Sequence, residues 1–189
     1  MTMPAGAARR PTRGSRIAAP ALAVAVAVAL GAAVVLRHGA DPLAIAGAGY
    51  VAATTWPLCA ADWRERRLPN SLVLPGYLFG AIGVLWAALS SGRPPWTAVL
   101  CAVATLGVAL VVAATGGLGP GDAKLAGLLA LVLGGLCGGP AVVTAVGAAC
   151  VTAGAAAVSG ILGGRDGSTT GIAFGPHLLG GFWVTLLLW

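Results

Sequence analysis

Two aspartates stand where long apolar stretches of the chain end. Asp122 lies in Gly-Pro-Gly-Asp-Ala-Lys-Leu (residues 119–125), and Asp62 opens the polar segment Asp-Trp-Arg-Glu-Arg-Arg (residues 62–67). A carboxylate at the edge of a membrane-length segment is costly, because its charge loses solvation by water. Two such aspartates predict an acid/base pair at a membrane edge, and therefore a protease.

Paired aspartates can hydrolyse an amide when one carboxyl group is ionised and the other is protonated. The ionised group takes a proton from water, which attacks the peptide carbonyl, and the protonated group polarises that carbonyl and assists the leaving amine. Two close carboxylates do not both ionise at low cost, so the pair shares a proton and titrates as a unit. Water must reach the pair, which favours the membrane boundary over the bilayer centre.

The composition predicts the kind of scaffold that must position these acids. Of the 189 residues, 58% are hydrophobic and only 8% are charged. Soluble domains carry about 25% charged residues. The apolar runs lack the alternation of barrel strands, and helices satisfy their own backbone groups in lipid. We expect an all-α protein, a polytopic transmembrane helix bundle of about seven spans.

The expected spans follow from the apolar runs, which are separated by short polar or Gly/Pro-rich segments. Residues 1–15 are predicted to form a basic cytoplasmic tail, and residues 16–189 the membrane-embedded domain. The first span is too long for an ordinary signal peptide, whose cleavage is the minor alternative. The spans cover about residues 17–36, 42–61, 70–90, 96–115, 123–138, 140–162 and 172–189.

The basic residues predict the orientation. With the N-terminus in the cytoplasm, the positive-inside rule is obeyed by nine of the 11 basic residues, and only Arg37 and Arg93 lie outside. The formal net charge of +6 is therefore explained by topology, and no nucleic-acid partner is predicted. Membrane lipid is the expected surrounding. The same alternation places Asp62 and Asp122 on the cytoplasmic side, although they are 60 residues apart.

The segment around Asp122 contains residues that allow a close approach to another helix. Gly119 and Gly121 permit unusual dihedral angles, and Lys124 either anchors this loop, biases the acid pair or extends its charge to the interface. Asn70 is expected to cap the third helix. Without catalysis, Asp122 would be the N-cap of a helix that begins near Ala123, and Asp62 would pair with the arginines of its own loop.

No metal or cofactor is predicted. The cysteines, Cys59, Cys101, Cys137 and Cys150, lack the C-x-x-C spacing of a zinc site, and the chain contains only 2 histidines. Buried free thiols are the simpler interpretation.

Three segments together resemble one family. Residues 119–125 resemble the G-x-G-D-x-K-L signature of type IV prepilin peptidases, which are membrane aspartyl proteases of the GxGD class. Residues 62–70, which include Pro69 and Asn70, resemble the family's first aspartate motif. Residues 173–178, with Gly175 and Pro176, resemble the Pro-Phe-Gly-Pro segment that opens its last core helix, although Ala173 replaces the usual Pro. The motifs stand in the family's order within residues 45–189.

The resemblance implies an aspartic endopeptidase with Asp62 and Asp122 as the catalytic pair. Its expected substrates are prepilin-like precursors of the Flp/Tad or pseudopilin type, whose short basic leader is cleaved at the cytoplasmic face of the plasma membrane. Longer family members carry an N-terminal domain with paired C-x-x-C motifs that is associated with methylation. The sequence lacks these motifs, so we expect a short form without methyltransferase activity.

Two other classes of function are compatible with the same residues. A small proton- or ion-coupled transporter would use the acids as a relay, and it predicts ion flux without cleavage. A non-catalytic membrane assembly factor predicts that neutralising both aspartates leaves its function unchanged.

Overall fold

The described part of the chain folds into seven helices, close to the seven segments that the sequence predicts. The structure, a computed structural model, describes residues 13–39, 41–65, 68–92, 95–163 and 173–189. The predicted tail before residue 13, Arg66, Arg67, Arg93 and the loop with Arg165 lie outside the described residues. The helices are α1 (Arg13–His38), α2 (Ala46–Glu65), α3 (Asn70–Ser91), α4 (Trp96–Ala114), α5 (Pro120–Leu136), α6 (Gly139–Leu162) and α7 (Gly175–Leu188).

Every regular element among the described residues is a helix, so the predicted all-α helix bundle is confirmed. Four helices, α1, α3, α4 and α6, are long and apolar enough to cross a membrane, and α7 is a shorter apolar helix. The two helices that carry the aspartates are not among these four: α2 ends in a charged turn, and α5 has 17 residues. That α2, α5 and α7 also cross the membrane stays a prediction.

Helix α5 is the centre of the bundle. It packs most closely against α4 and α3, and it also contacts α6 and α7. Its side chains from Leu125 to Gly134 are buried without interruption. Small residues allow these close approaches: a Cβ at Gly127 would lie 2.6 Å from the hydroxyl of Tyr77, and one at Gly134 would lie 3.1 Å from Cα of Ala98. In lipid, such packing is a main source of helix association.

Helices α2 and α7 are held together by a buried hydrogen bond. Trp183 Nε1 of α7 donates to Thr55 Oγ1 of α2 over 3.0 Å, and both side chains are buried. At the other end of α7, His38 and Arg37 of α1 contact the carbonyl oxygens of Leu186 and Leu188. These contacts fix α7 beside α1 and α2, which places its first residue, Gly175, next to the last turn of α2.

Candidate active site

Asp62 is buried in the last turn of α2. Its side chain is only 3% exposed, and its Oδ2 accepts a hydrogen bond of 3.0 Å from the backbone N–H of Gly175. This N–H belongs to the first turn of α7, where amide groups have no partner within the helix and the helix dipole favours negative charge. The contact therefore favours the ionised form of Asp62. Of the arginines proposed as alternative partners, Arg66 and Arg67 lie outside the described residues, so pairing with them stays untested.

Asp122 is the third residue of α5. It is not the N-cap: the helix begins at Pro120 and its N-cap is Gly119, so that alternative interpretation is wrong. The proline fits the first position, where its missing N–H costs nothing. The Asp122 carboxylate instead turns back toward Gly119, whose backbone amide hydrogen-bonds to it. This arrangement is one half of a capping box.

The environment of Asp122 favours its protonated form. It stands just before the predicted span 123–138. Burial raises the pKa of this carboxyl from 3.8 to about 6, the nearby Asp62 also raises it, and the Gly119 amide partly opposes both effects. Its Oδ1 is buried and has no hydrogen-bond partner among the residues that the structure describes. A buried polar atom of this kind is expected to find a further partner, such as water or a bound substrate.

Gly175 lies between the two carboxyl groups. A Cβ at this position would lie 2.8 Å from Asp62 Oδ2 and 3.5 Å from Asp122 Oδ1. Both aspartates therefore border the same small space, in agreement with the effect of Asp62 on the pKa of Asp122. A side chain at residue 175 would occupy part of that space. The structure thus brings together the two acids and the glycine that the third motif contains.

Contacts between the first two motifs hold Asp122 near α2. A Cβ at Gly121 would lie 3.0 Å from Cβ of Leu68, so the glycine allows α5 to begin against the segment that follows α2. Lys124 Nζ donates a hydrogen bond of 3.1 Å to Asn70 Oδ1. Lys124 therefore anchors its loop, one of the three roles considered for it.

The predicted capping role of Asn70 is wrong. Asn70 is the first residue of α3, the N-cap is Pro69, and no side chain caps this end. The side chain of Asn70 accepts the bond from Lys124 instead, because a nearby ammonium is a stronger partner than a neutral amide. Pro69 is extended, and its carbonyl accepts from the N–H of Leu72 over 3.0 Å. Pro176 lies in the first turn of α7.

Tyr77 contributes to the site without having been predicted from the sequence. Its hydroxyl donates a hydrogen bond of 2.7 Å to the carbonyl oxygen of Lys124, two residues after Asp122. The available signal was chemical: a tyrosine in an otherwise apolar span needs a partner for its hydroxyl group. Which group serves as that partner depends on the packing of α3 against α5, and no local sequence pattern indicates this packing.

The arrangement can perform general acid/base chemistry on a bound water molecule. One carboxyl group is stabilised as an anion by a helix amide, and the other has a raised pKa. Among the described residues, no three His, Cys, Asp or Glu side chains converge in a way that could hold a metal ion. That the reaction needs no metal stays a prediction, as do the catalytic roles of Asp62 and Asp122.

Comparison with protein-family models identifies the chain. The model of the type IV leader peptidase family matches residues 49–164, a stretch that includes both aspartates and ends before Gly175. Comparisons with curated proteins and with solved structures gave no significant match. The match covers more than half of the sequence and agrees with the resemblance seen in the motifs. The chain therefore belongs to the type IV leader peptidase family.

Proposed function

We propose that this chain is an aspartic endopeptidase that removes the basic leader of prepilin-like precursors, of the Flp/Tad or pseudopilin type. The observation that carries the proposal is the convergence of Asp62 and Asp122 on the space beside Gly175. Family membership supports a leader peptidase, and the geometry supports the aspartic class, since two carboxyl groups in different environments are what this hydrolysis requires.

In this proposal, Asp62 begins as the base and Asp122 as the acid. Asp62 takes a proton from a water molecule, whose oxygen attacks the scissile carbonyl carbon, while Asp122 gives its proton to the carbonyl oxygen. Asp62 then passes its proton to the amide nitrogen, and Asp122 recovers a proton from the tetrahedral intermediate as the C–N bond breaks. The products are a carboxylic acid and an amine, and both aspartates return to their starting states.

The Oδ1 of Asp122, which has no hydrogen-bond partner among the described residues, supports this assignment of roles. A buried oxygen without a partner in the described part of the chain is well placed to contact the attacking water or the scissile carbonyl. The Gly175 amide favours negative charge on Asp62, so the proton shared by the pair stays with Asp122.

We propose that cleavage takes place at the cytoplasmic face of the plasma membrane, with the enzyme as a multi-pass protein whose N-terminus is cytoplasmic. The distribution of basic residues supports this orientation. A precursor whose leader contains Lys or Arg would keep that leader inside, while its apolar helix lies in the membrane. The bond between these two parts would then lie at the depth of the aspartates.

The transporter alternative has no supporting observation, since the matched family consists of peptidases. A relay through the same acids would move protons across liposomes and leave precursors intact. The two functions are therefore distinguished by assaying the same liposomes for precursor cleavage and for proton flux.

The test uses the full chain reconstituted in liposomes with a pilin-like precursor that carries a basic leader and an apolar helix. Mass spectrometry should detect one cut, between the leader and the helix, and a pH-sensitive dye inside the liposomes should show no proton flux. An intact precursor together with proton flux would contradict the peptidase function and support the transporter function. An intact precursor without flux would favour a non-catalytic assembly factor.

A further inference from the structure

An apolar groove runs along the bundle between α4 and α6. Its walls include Ala104 and Val108 of α4 and Val143 and Gly147 of α6, and Ala126 of α5 lies at its floor. The groove exists because α4 packs mainly against α5 and α6 mainly against α7, so α4 and α6 touch each other only sparsely. Its volume is about 620 Å³. One water molecule takes up about 30 Å³ in the liquid, so this is a site for a much larger, apolar occupant.

One end of the groove meets the aspartate site. Leu118, which lines the groove, directly precedes Gly119, the N-cap of α5. Phe174, which also lines it, directly precedes Gly175, whose N–H binds Asp62. The two loops that shape the space between the aspartates therefore also form the end of the groove. An occupant of the groove would continue directly into the site.

We infer that this groove binds the apolar helix that follows the scissile bond of the precursor; the inference rests on the proposed leader-peptidase function. Its occupant is thus a single transmembrane helix rich in apolar residues. The groove seats this helix, and the chain just before the helix extends between the aspartates.

The residues that line the groove suit a closely packed helix better than loosely packed lipid tails. In lipid there is no hydrophobic driving force between helices, so association depends on close packing, which small residues permit. Gly147 and Ala104 provide such positions on the two walls, and a Cβ at Gly147 would meet no atom within 4 Å. The outer rims, Val108 and Val143, are 67% and 73% exposed, so the groove is open along its length to the surrounding membrane.

The distances also fit. Ala126 on the floor of the groove lies four residues from Asp122, which is one helical turn or about 6 Å along α5. An extended chain covers about 3.3 Å per residue. The cut is therefore expected within a few residues of the start of the bound helix, so the groove sets where the enzyme cleaves.

A first experiment fills the groove. Gly147→Phe places a ring where the structure has open space. Val151→Phe is the matched control: it lies about one turn further along α6, is 72% exposed and is not part of the groove lining. We expect Gly147→Phe to lower kcat/KM for the full precursor about tenfold, mainly through KM, because overpacking prevents the helix from docking. Val151→Phe should cleave like the unaltered enzyme.

A second experiment detects the helix in place and does not require turnover. Cys150 lines the groove and is exposed. In an Asp122→Asn chain whose other three cysteines are replaced by alanine, an added mild oxidant should join Cys150 by a disulfide to a cysteine placed in the apolar helix of the precursor. The control moves the thiol out of the groove, with Cys150→Ser combined with Val151→Cys, and should crosslink much less.

The outcomes separate the groove from the enzyme activity. If the unaltered enzyme cleaves the precursor, but Gly147→Phe matches Val151→Phe and both thiols crosslink equally, the leader-peptidase proposal stands and the groove inference is wrong. This is also the result expected if lipid tails fill the groove. If the unaltered enzyme cleaves no precursor, both proposals fail. If only Gly147→Phe loses cleavage of the precursor and only Cys150 crosslinks to it, the leader-peptidase proposal and the groove inference are both supported.

Discussion

At the scale of single residues, the site depends on a position that has no side chain. Gly175 donates its N–H to Asp62, and the absence of a Cβ leaves room for both carboxyl groups. The third motif therefore contributes geometry, whereas the first two contribute the acids. The Gly175 amide favours the anion of Asp62. At Asp122, burial and the nearby Asp62 raise the pKa by more than the Gly119 amide lowers it.

Gly175→Ala should slow the enzyme strongly while leaving it folded. The added methyl group would lie 2.8 Å from Asp62 Oδ2 and would push that carboxylate away. A displacement of about 1 Å in a catalytic group can cost about 100-fold in rate, and we expect a loss of that order in kcat. The control is Gly180→Ala, since a Cβ at Gly180 meets no atom within 4 Å. Equal rates for the two variants would contradict this role of Gly175.

The raised pKa of Asp122 predicts how activity and stability depend on pH. As pH rises through about 6, Asp122 loses the proton that the acid step needs, so kcat/KM for a precursor should fall. Between pH 3.8 and about 6, the folded chain holds this proton while the unfolded chain releases it. The free energy of unfolding should therefore decrease with rising pH across this window.

Thermal unfolding in micelles at a series of pH values tests this assignment. Asp122→Asn should remove the dependence between pH 3.8 and about 6. Asp41→Asn is the control, because Asp41 lies before α2, near the helix end opposite Asp62, and should keep the dependence. A dependence that survives in Asp122→Asn would mean that another group titrates in this range.

At the scale of helices, the sequence predicts the elements well and their mutual contacts poorly. Apolar run lengths and Gly/Pro breaks are local signals, so all seven helices lie close to their predicted bounds. Asn70 shows the limit of local signals. Its position suggests a helix cap, but its side chain instead accepts a hydrogen bond from Lys124, which is 54 residues away. The partners of Tyr77 and Trp183 likewise depend on which helices become neighbours, and a single sequence does not state this.

The Trp183–Thr55 bond predicts a measurable coupling between α7 and α2. Trp183→Phe and Thr55→Val each remove the hydrogen bond of 3.0 Å, which is buried. The bond is expected to contribute about 1 kcal/mol to stability, so the double variant should cost about 1 kcal/mol less than the two single variants added together. Denaturant unfolding in micelles gives the three values. Full additivity would show that the bond does not contribute.

At the scale of the whole molecule, a central helix carries one acid, and two other helices bring the second acid and the glycine to it. Helix α5 supplies Asp122, α2 supplies Asp62, and α7 supplies Gly175. The motifs indicated which residues belong to the site, because their spacing matches a known family. The shared space between them and the groove between α4 and α6 needed the structure, since both arise from packing between distant segments.

The distribution of basic residues predicts which loops face the cytoplasm. In a chain without its own cysteines, Ser90→Cys, near the α3–α4 loop, should react with a membrane-impermeant thiol reagent in intact cells. Thr115→Cys, near the α4–α5 loop that leads to Asp122, should react only after permeabilisation. Both native side chains are exposed, so they are matched in access. The reverse pattern would invert the orientation and place the aspartates on the outer face.

Replacing each aspartate by asparagine tests the central claim most directly, because it removes one ionisable oxygen and keeps the size of the side chain. Cleavage of a pilin-like precursor by Asp62→Asn, Asp122→Asn and the control Asp41→Asn would be followed by mass spectrometry. The acid pair predicts that the first two variants fold but leave the precursor intact, while Asp41→Asn cleaves it at the normal rate. Full cleavage by either Asp62→Asn or Asp122→Asn would contradict catalysis by this pair.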